Sequence, residues 1–259
     1  MKANPIVKGP VRFLISFTKF VAGGFVLLAL VIGAEVMLAR TRVSRLEEPG
    51  AFAGAEFGDQ GAPPMHLVVI GDSTAVGVGT QHPNETYPWI IADDLGKKLR
   101  VRLDVVARSG ARMQDLAEFV PRANAFNPDL VLIGLGGNDV THLTSMKRVA
   151  DLLAHAVGAL SDADTKVVIC LGPPFDSPIF QTPLAQIIHW RVNRINETIR
   201  KVARSRGVPI IDLPAGLGDR FARDPKRYYS ADTFHPGPQG YRLWAEVIEE
   251  PLLKVALRP

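Results

Sequence analysis

The chain has 259 residues, 47% of them hydrophobic and 22% charged, which is the balance of a globular protein with a full core and one added apolar stretch. Its net charge of +4 is concentrated at one end: Lys2, Lys8, Arg12, Lys19, Arg40, Arg42 and Arg45 stand against the single acid Glu35, and the remaining body is slightly acidic. A basic footprint on the folded body is therefore missing, which argues against a nucleic-acid partner, and one cysteine, Cys170, excludes an intramolecular disulfide.

Phe20–Ala39 is an apolar run of about 20 residues, long enough at 1.5 Å per residue to match a hydrocarbon core of ~30 Å. Lys19 precedes it and three arginines follow. A cleaved signal peptide would have a shorter apolar core and a small-residue cleavage site, and the Met37-Leu38-Ala39-Arg40 end fits that poorly. A buried core helix would sit outside the compact body. The segment reads as an uncleaved single-pass anchor (residues 1–45, spanning at about 20–39), with a weak charge bias placing the rest outside the cytoplasm, on the periplasmic or extracellular side. Residues 46–64 are rich in Gly, Pro and Ala and read as a linker. Residues 65–259 are expected to form the folded domain.

From there strand-like and helix-like stretches alternate. Strand candidates are His66–Ile70, Val101–Ala107, Asp129–Leu135, Lys166–Leu171 and Val208–Leu213, short β-branched runs suited to burial on both faces of a parallel sheet. Helical patterns cover Pro88–Leu99, Met113–Ala123, Ser145–Leu160, Pro183–Arg206 and about Pro238–Lys254. This alternation predicts an α/β fold, a three-layer α/β/α sandwich on a five-stranded parallel sheet.

Ligands bind such sheets beyond the carboxyl ends of the strands. There the chain places Gly71-Asp72-Ser73, then Ser109-Gly110, then Gly136-Gly137-Asn138-Asp139, then Gly172-Pro173-Pro174, and after the fifth strand Asp232-Thr233-Phe234-His235-Pro236. A serine hydroxyl needs a base to become a useful nucleophile. Histidine can take that proton and return it to a leaving group, and a carboxylate fixes its tautomer. Asp232 lies one turn before His235, and Pro236 favours an extended backbone at His235. Cys170, inside an apolar run, reads as a small buried hydrophobe. Asp72 and Asp139 read as loop-holding residues, and Ser109 as part of a loop. His82, His142, His155 and His189 read as ordinary surface or core histidines, and Trp89, Trp190 and Trp244 as packing residues.

With Gly71-Asp72-Ser73, Gly110, Gly136-Gly137-Asn138-Asp139 and Asp232-Thr233-Phe234-His235 in this order, residues 65–254 resemble the SGNH (GDSL) hydrolase superfamily of esterases and lipases. The resemblance implies a flavodoxin-like sheet and cleavage of carboxylic esters through an acyl-serine intermediate. Ser73 would be the nucleophile, His235 the general base and acid, and Asp232 the orienting carboxylate. The backbone N–H groups of Ser73 and Gly110 and the side-chain amide of Asn138 would form the oxyanion hole. No metal or organic cofactor is implied. The substrate would be a small ester: an acyl ester, a lysophospholipid or an acetylated sugar. The same machinery serves an acyltransferase or a carbohydrate O-acetylesterase. Two other classes compete on the residues alone. Asp72, Asp139, Asp232 and His235 could hold a metal for a phosphoesterase, or the domain could be a membrane-tethered binding module without catalysis.

Overall fold

The computed structural model describes residues 8–42, 46, 48–49, 54–161 and 165–258. Lys2, Arg45, Glu47 and residues 50–53 of the expected linker lie outside them. In chain order the elements are α1 (Lys8–Arg42), β1 (Ala55–Phe57), β2 (Pro64–Gly71), α2 (Ser73–Val76), α3 (Tyr87–Gly96), β3 (Arg100–Ala107), α4 (Leu116–Asn124), β4 (Leu130–Gly134), α5 (Gly137–Thr141), α6 (Met146–Ser161), β5 (Lys166–Cys170), α7 (Leu184–Arg206), β6 (Ile210–Ile211), α8 (Leu213–Leu217), α9 (Arg220–Arg223), α10 (Pro225–Tyr228) and α11 (Pro238–Ala256).

The strands form one sheet in the order β1-β3-β2-β4-β5-β6. The five expected parallel strands are all present. The count of five is corrected to six, because Ala55–Phe57 pairs antiparallel with Val101–Leu103 at the edge. This strand comes from the stretch read as a linker. Three residues are too few to show an alternating pattern, so composition alone hid it. At the other edge β6 is only two residues long. Pro209 has no N–H to extend the ladder, and Asp212 turns the chain by capping α8, its side chain accepting from Ala215 N at 3.1 Å.

Along β2 successive residues point to opposite layers. Val68 and Ile70 pack with α4, α6 and α7, while Leu67 and Val69 pack with α3 and α11. All four are fully buried. A strand enclosed on both faces has no polar alternation, which is why these runs read as continuously apolar.

Helix α1 contains one segment, Thr18–Leu38, long and apolar enough to cross a membrane. Its apolar side chains are largely exposed, Phe20 at 80%. Near its C-terminal end it touches the body. Ile32 and Val36 pack against the layer that contains α7, and Glu35 Oε2 accepts a hydrogen bond from Leu184 N at 3.0 Å, at the start of α7.

Candidate active site

Strand β2 ends at Gly71, and the chain turns at once into the short helix α2, whose first residue is Ser73. Asp72 makes that turn. Its Oδ1 accepts from Thr74 N at 2.9 Å and from Thr74 Oγ1 at 2.8 Å, capping α2. Burial raises the Asp72 carboxyl above its ordinary range, more than the Thr74 bonds and the nearby His235 lower it. Asp72 thus fixes the backbone that presents the serine, the loop-holding role read from the sequence.

A second loop, from Tyr228 to Gly237, carries the acid and the imidazole. It is closed by Ser230 N donating to His235 O at 2.8 Å, Gly237 N donating to Tyr228 O at 2.8 Å, and an antiparallel bridge between Tyr229 and Pro236. Inside it, Asp232 Oδ1 accepts from Ser230 Oγ at 2.7 Å and from Phe234 N and His235 N, both at 2.9 Å. Thr233 is held at a φ of +56°, an unfavourable left-handed conformation for a β-branched residue. Ser177 Oγ donates to the Thr233 carbonyl at 2.6 Å and helps to keep it there.

The two loops meet at the imidazole. His235 Nδ1 lies 2.6 Å from Asp232 Oδ2, and His235 Nε2 lies 3.0 Å from Ser73 Oγ. Burial alone would raise the Asp232 carboxyl, but the hydrogen bonds from His235, Phe234 N, Ser230 and His235 N overcome it and hold the group down to about 2. An ionised Asp232 accepts only, so Nδ1 carries the proton and Nε2 is left to face the serine. Close contact between the loops depends on Gly79. Its φ is +102°, and a Cβ there would stand 2.3 Å from the Pro236 carbonyl. Tyr241 of α11 adds a clamp, donating to Val78 O at 2.7 Å.

Ser73, Asn138 and His235 line one cavity. Asn138 Nδ2 donates to Ala111 O at 3.0 Å, which uses one of its two amide hydrogens and leaves the second. Ser73 N belongs to the first turn of α2, where backbone donors have no partner within the helix. Gly110 is not part of the cavity wall. It is glycine for its φ of +79°, since nothing lies within 4 Å of an added Cβ. Beside it, Ser109 Oγ donates to Glu48 Oε1 at 2.5 Å.

Several residues take up structural positions. Asp139 is buried with Oδ2 accepting from Met113 N at 2.9 Å, so its carboxylate ties α5 to the segment before α4. Among the described residues no three His, Cys, Asp or Glu side chains are grouped as a metal would need. Cys170 is buried in the cavity wall, and burial pushes its thiol up to about 12. His189 Nε2 donates at the cavity edge, 3.1 Å from both Phe175 O and Asp176 Oδ1. Trp244 is buried and Trp89 stacks edge-on against Phe57. Trp190, expected to pack, is 60% exposed instead. Helical spacing places it on the outer face of α7, beyond the stripe of Ile188, Val192 and Ile195 that is buried.

Sequence reasoning did not single out Asn196. Buried on α7, it donates to Gly172 O at 2.9 Å and accepts from Gly172 N at 3.1 Å, holding the turn after β5 as a strand neighbour would. Phe175 and Phe234 line the cavity, and Phe180 packs against both, the three ring centroids lying 5.9–6.4 Å apart. The rest of the cavity wall is mostly apolar, with Leu213, Leu217, Trp244 and Ile248 from α8 and α11. Such a wall accepts an apolar group and excludes water from the reacting atoms.

The arrangement of hydroxyl, imidazole and carboxylate can activate an alcohol for attack on a carbonyl. Residues 69–243 match the model of the GDSL-like lipase/acylhydrolase family. The chain is 29% identical over 189 residues to the GDSL-like esterase Rv1075c of Mycobacterium tuberculosis, covering 71% of this chain. The chain spans 60% of the length of that curated relative. Among solved structures it is similar in fold to LAE5, an alpha/beta hydrolase enzyme from the metagenome of Lake Arreo, Spain (TM-score 0.61, 20% identity, 74% of this chain and 96% of that one). It is also similar to a catalytic mutant of Axe2, an acetylxylan esterase from Geobacillus stearothermophilus (TM-score 0.59, 18% identity, 75% and 96%).

Proposed function

Because the chain belongs to the GDSL-like lipase/acylhydrolase family, we propose that it hydrolyses carboxylic esters through an acyl-serine intermediate formed on Ser73. The observation that carries this reading is the relay of 3.0 Å from Ser73 Oγ to His235 Nε2 and 2.6 Å from His235 Nδ1 to Asp232 Oδ2.

In the first half-reaction Ser73 Oγ attacks the ester carbonyl carbon while its proton passes to His235 Nε2. Asp232 stabilises the imidazolium without taking the proton. The tetrahedral oxyanion is met by the N–H of Ser73 and the second amide hydrogen of Asn138; the family resemblance adds the N–H of Gly110, which lies outside the cavity wall. As the C–O bond to the alcohol breaks, His235 Nε2 returns the proton to the leaving oxygen. Water then repeats the sequence on the acyl-serine and releases the acid. The apolar wall around Leu213, Leu217 and Ile248 suits the acyl side of an acyl ester or lysophospholipid better than the hydroxyl-rich face of an acetylated sugar. If an alcohol replaces the water, the same intermediate gives acyl transfer.

We assign α1 as a membrane anchor of the hydrolase domain, which the sequence bounds at 65–259 and the edge strand Ala55–Phe57 extends, held on the extracytoplasmic side. Its 21-residue apolar segment and exposed side chains support that assignment. Ser73→Ala, assayed on p-nitrophenyl esters of graded length, is expected to lose activity by at least about 10⁴-fold; full activity in that variant sinks the mechanism. A serine-directed phosphonate is expected to inactivate the wild type and a chelator to leave it unaffected. Protease protection of a C-terminal tag tests the side of the membrane.

A further inference from the structure

Among the described residues outside α1, four large apolar side chains are exposed: Leu143 at 69%, Ile187 at 38%, Trp190 at 60% and Leu257 at 56%. Leu257 follows α11, near the start of β5, whose Lys166 reaches the Ala256 carbonyl. The other three gather at the opposite rim. Ile187 and Trp190 are one turn apart on the outer face of α7. Arg191 joins that helix to the end of α5 and the turn after it, donating to Val140 O at 2.9 Å and to Thr144 O at 3.0 Å, so the turn that bears Leu143 is tied to the helix that bears the other two.

Leu143 occupies a position where the chain favours glycine. It follows α5 at a φ of +54°, a conformation that branched side chains adopt at a cost. The chain therefore keeps a large apolar group, in a strained conformation, on the surface. A packing role does not account for it.

The anchor explains what covers this face. Glu35 bonds to Leu184 N at the head of the same helix α7, and Ile32 and Val36 pack beside it. Glu35 is three residues from Leu38, the end of the apolar segment, so it lies about 4–5 Å inside that end. The head of α7 is thereby fixed at the depth where a spanning helix leaves the hydrocarbon. Ile187 and Trp190 begin within two turns of that point, and Arg194, exposed one turn further on, suits a layer of anionic headgroups.

Resting on the anchor assignment made above, we propose that the face formed by Leu143, Ile187 and Trp190 sits in the headgroup region of the bilayer that α1 spans. The catalytic domain is docked on the membrane by this face rather than suspended from it. The cavity wall adjoins it, since His189, next to Trp190, lies 3.1 Å from the carbonyl of Phe175, and Phe175 lines the cavity. Esters carried by the same leaflet are then the substrates nearest to Ser73.

The test uses the full chain reconstituted in phosphatidylcholine and phosphatidylglycerol vesicles whose acyl chains are brominated near the headgroup. Bromolipid is expected to quench tryptophan emission in the wild type, and most of that quenching is expected to disappear in Trp190→Phe. A maleimide dye on Leu143→Cys is expected to shift to the blue in vesicles, and the same dye on Leu257→Cys is not; the native Cys170 is buried and does not compete. Release of the chain by alkaline carbonate overturns the anchor assignment and this proposal with it. A chain that resists carbonate but shows no quenching at position 190 and no shift at position 143 overturns the docked face alone. Hydrolysis of a soluble ester by the wild type, lost in Ser73→Ala, reads the catalytic assignment separately from both.

Discussion

Among the described residues two histidines contact a buried aspartate at nearly equal distance. At the carboxyl end of the sheet, His235 lies 2.6 Å from Asp232; towards the other end, His66 Nε2 lies 2.7 Å from Asp104 Oδ2. Strand β2 links the two, with His66 near its start and Ser73 just past its end. The pairs differ in what stands next to them. His235 turns its second nitrogen towards a serine hydroxyl in an apolar cavity. The groove beside His66 is walled by Glu56, Gln60, Arg100, Arg102 and Asp129 among others, with no hydroxyl or thiol in its lining. Asp104 also accepts from Gly54 N at 2.8 Å and from Arg102 Nε at 3.3 Å, which fastens the chain before the edge strand to β3. A close imidazole–carboxylate contact is therefore a structural fastening by default. It becomes a candidate for catalysis only where the free nitrogen meets a nucleophile.

That contrast breaks most clearly under paired substitutions. Asp232→Asn is expected to lower kcat/KM for a soluble ester by about 10⁴-fold, because the amide favours the wrong imidazole tautomer. Asp104→Asn is expected to leave kcat/KM unchanged; equal losses in the two variants would erase the distinction. Asn138→Ala is expected to lower kcat by about 10²–10³-fold with little change in KM, the signature of a donor that acts on the transition state. In thermal or urea unfolding, Asp104→Asn is expected to cost about 1–3 kcal/mol through weakened buried hydrogen bonds. The smallest effect is one of pH. Asp232 is depressed to about 2 from 3.8, so the stability it contributes, roughly 2 kcal/mol, is complete above pH ~4 and is lost as the pH falls through ~2. In Asp232→Asn this acid-side slope is expected to shrink, and an unchanged slope would assign it to other carboxylates.

Much of this was legible in the residues. The five parallel strands follow from β-branched runs enclosed on both faces, and the motifs fall at their carboxyl ends because a parallel sheet puts every such end on one rim. The Asp232–His235 contact was legible from a spacing of three. What stayed hidden depends on long-range contact. The edge strand Ala55–Phe57 has no period of its own and exists only through its pairing with Val101–Leu103. Asn196 looks like any polar residue of a helix until the turn at Gly172 is seen against it. Trp190 fits a helical pattern, but only the stripe of Ile188, Val192 and Ile195 at helical spacing shows that it lies off the buried face. The second pair was equally invisible, since His66 and Asp104 lie 38 positions apart with no motif around either.

Ser73 and His235 are 162 positions apart, and the loop bearing the imidazole is followed directly by the last helix, whose Tyr241 reaches back to Val78. During synthesis Ser73 emerges long before His235. A polypeptide interrupted between the two carries the serine without the imidazole that faces it. The contact between Ser73 and His235 is therefore made by tertiary packing of the 228–241 segment against Val78 and Gly79, and by no local stretch of chain.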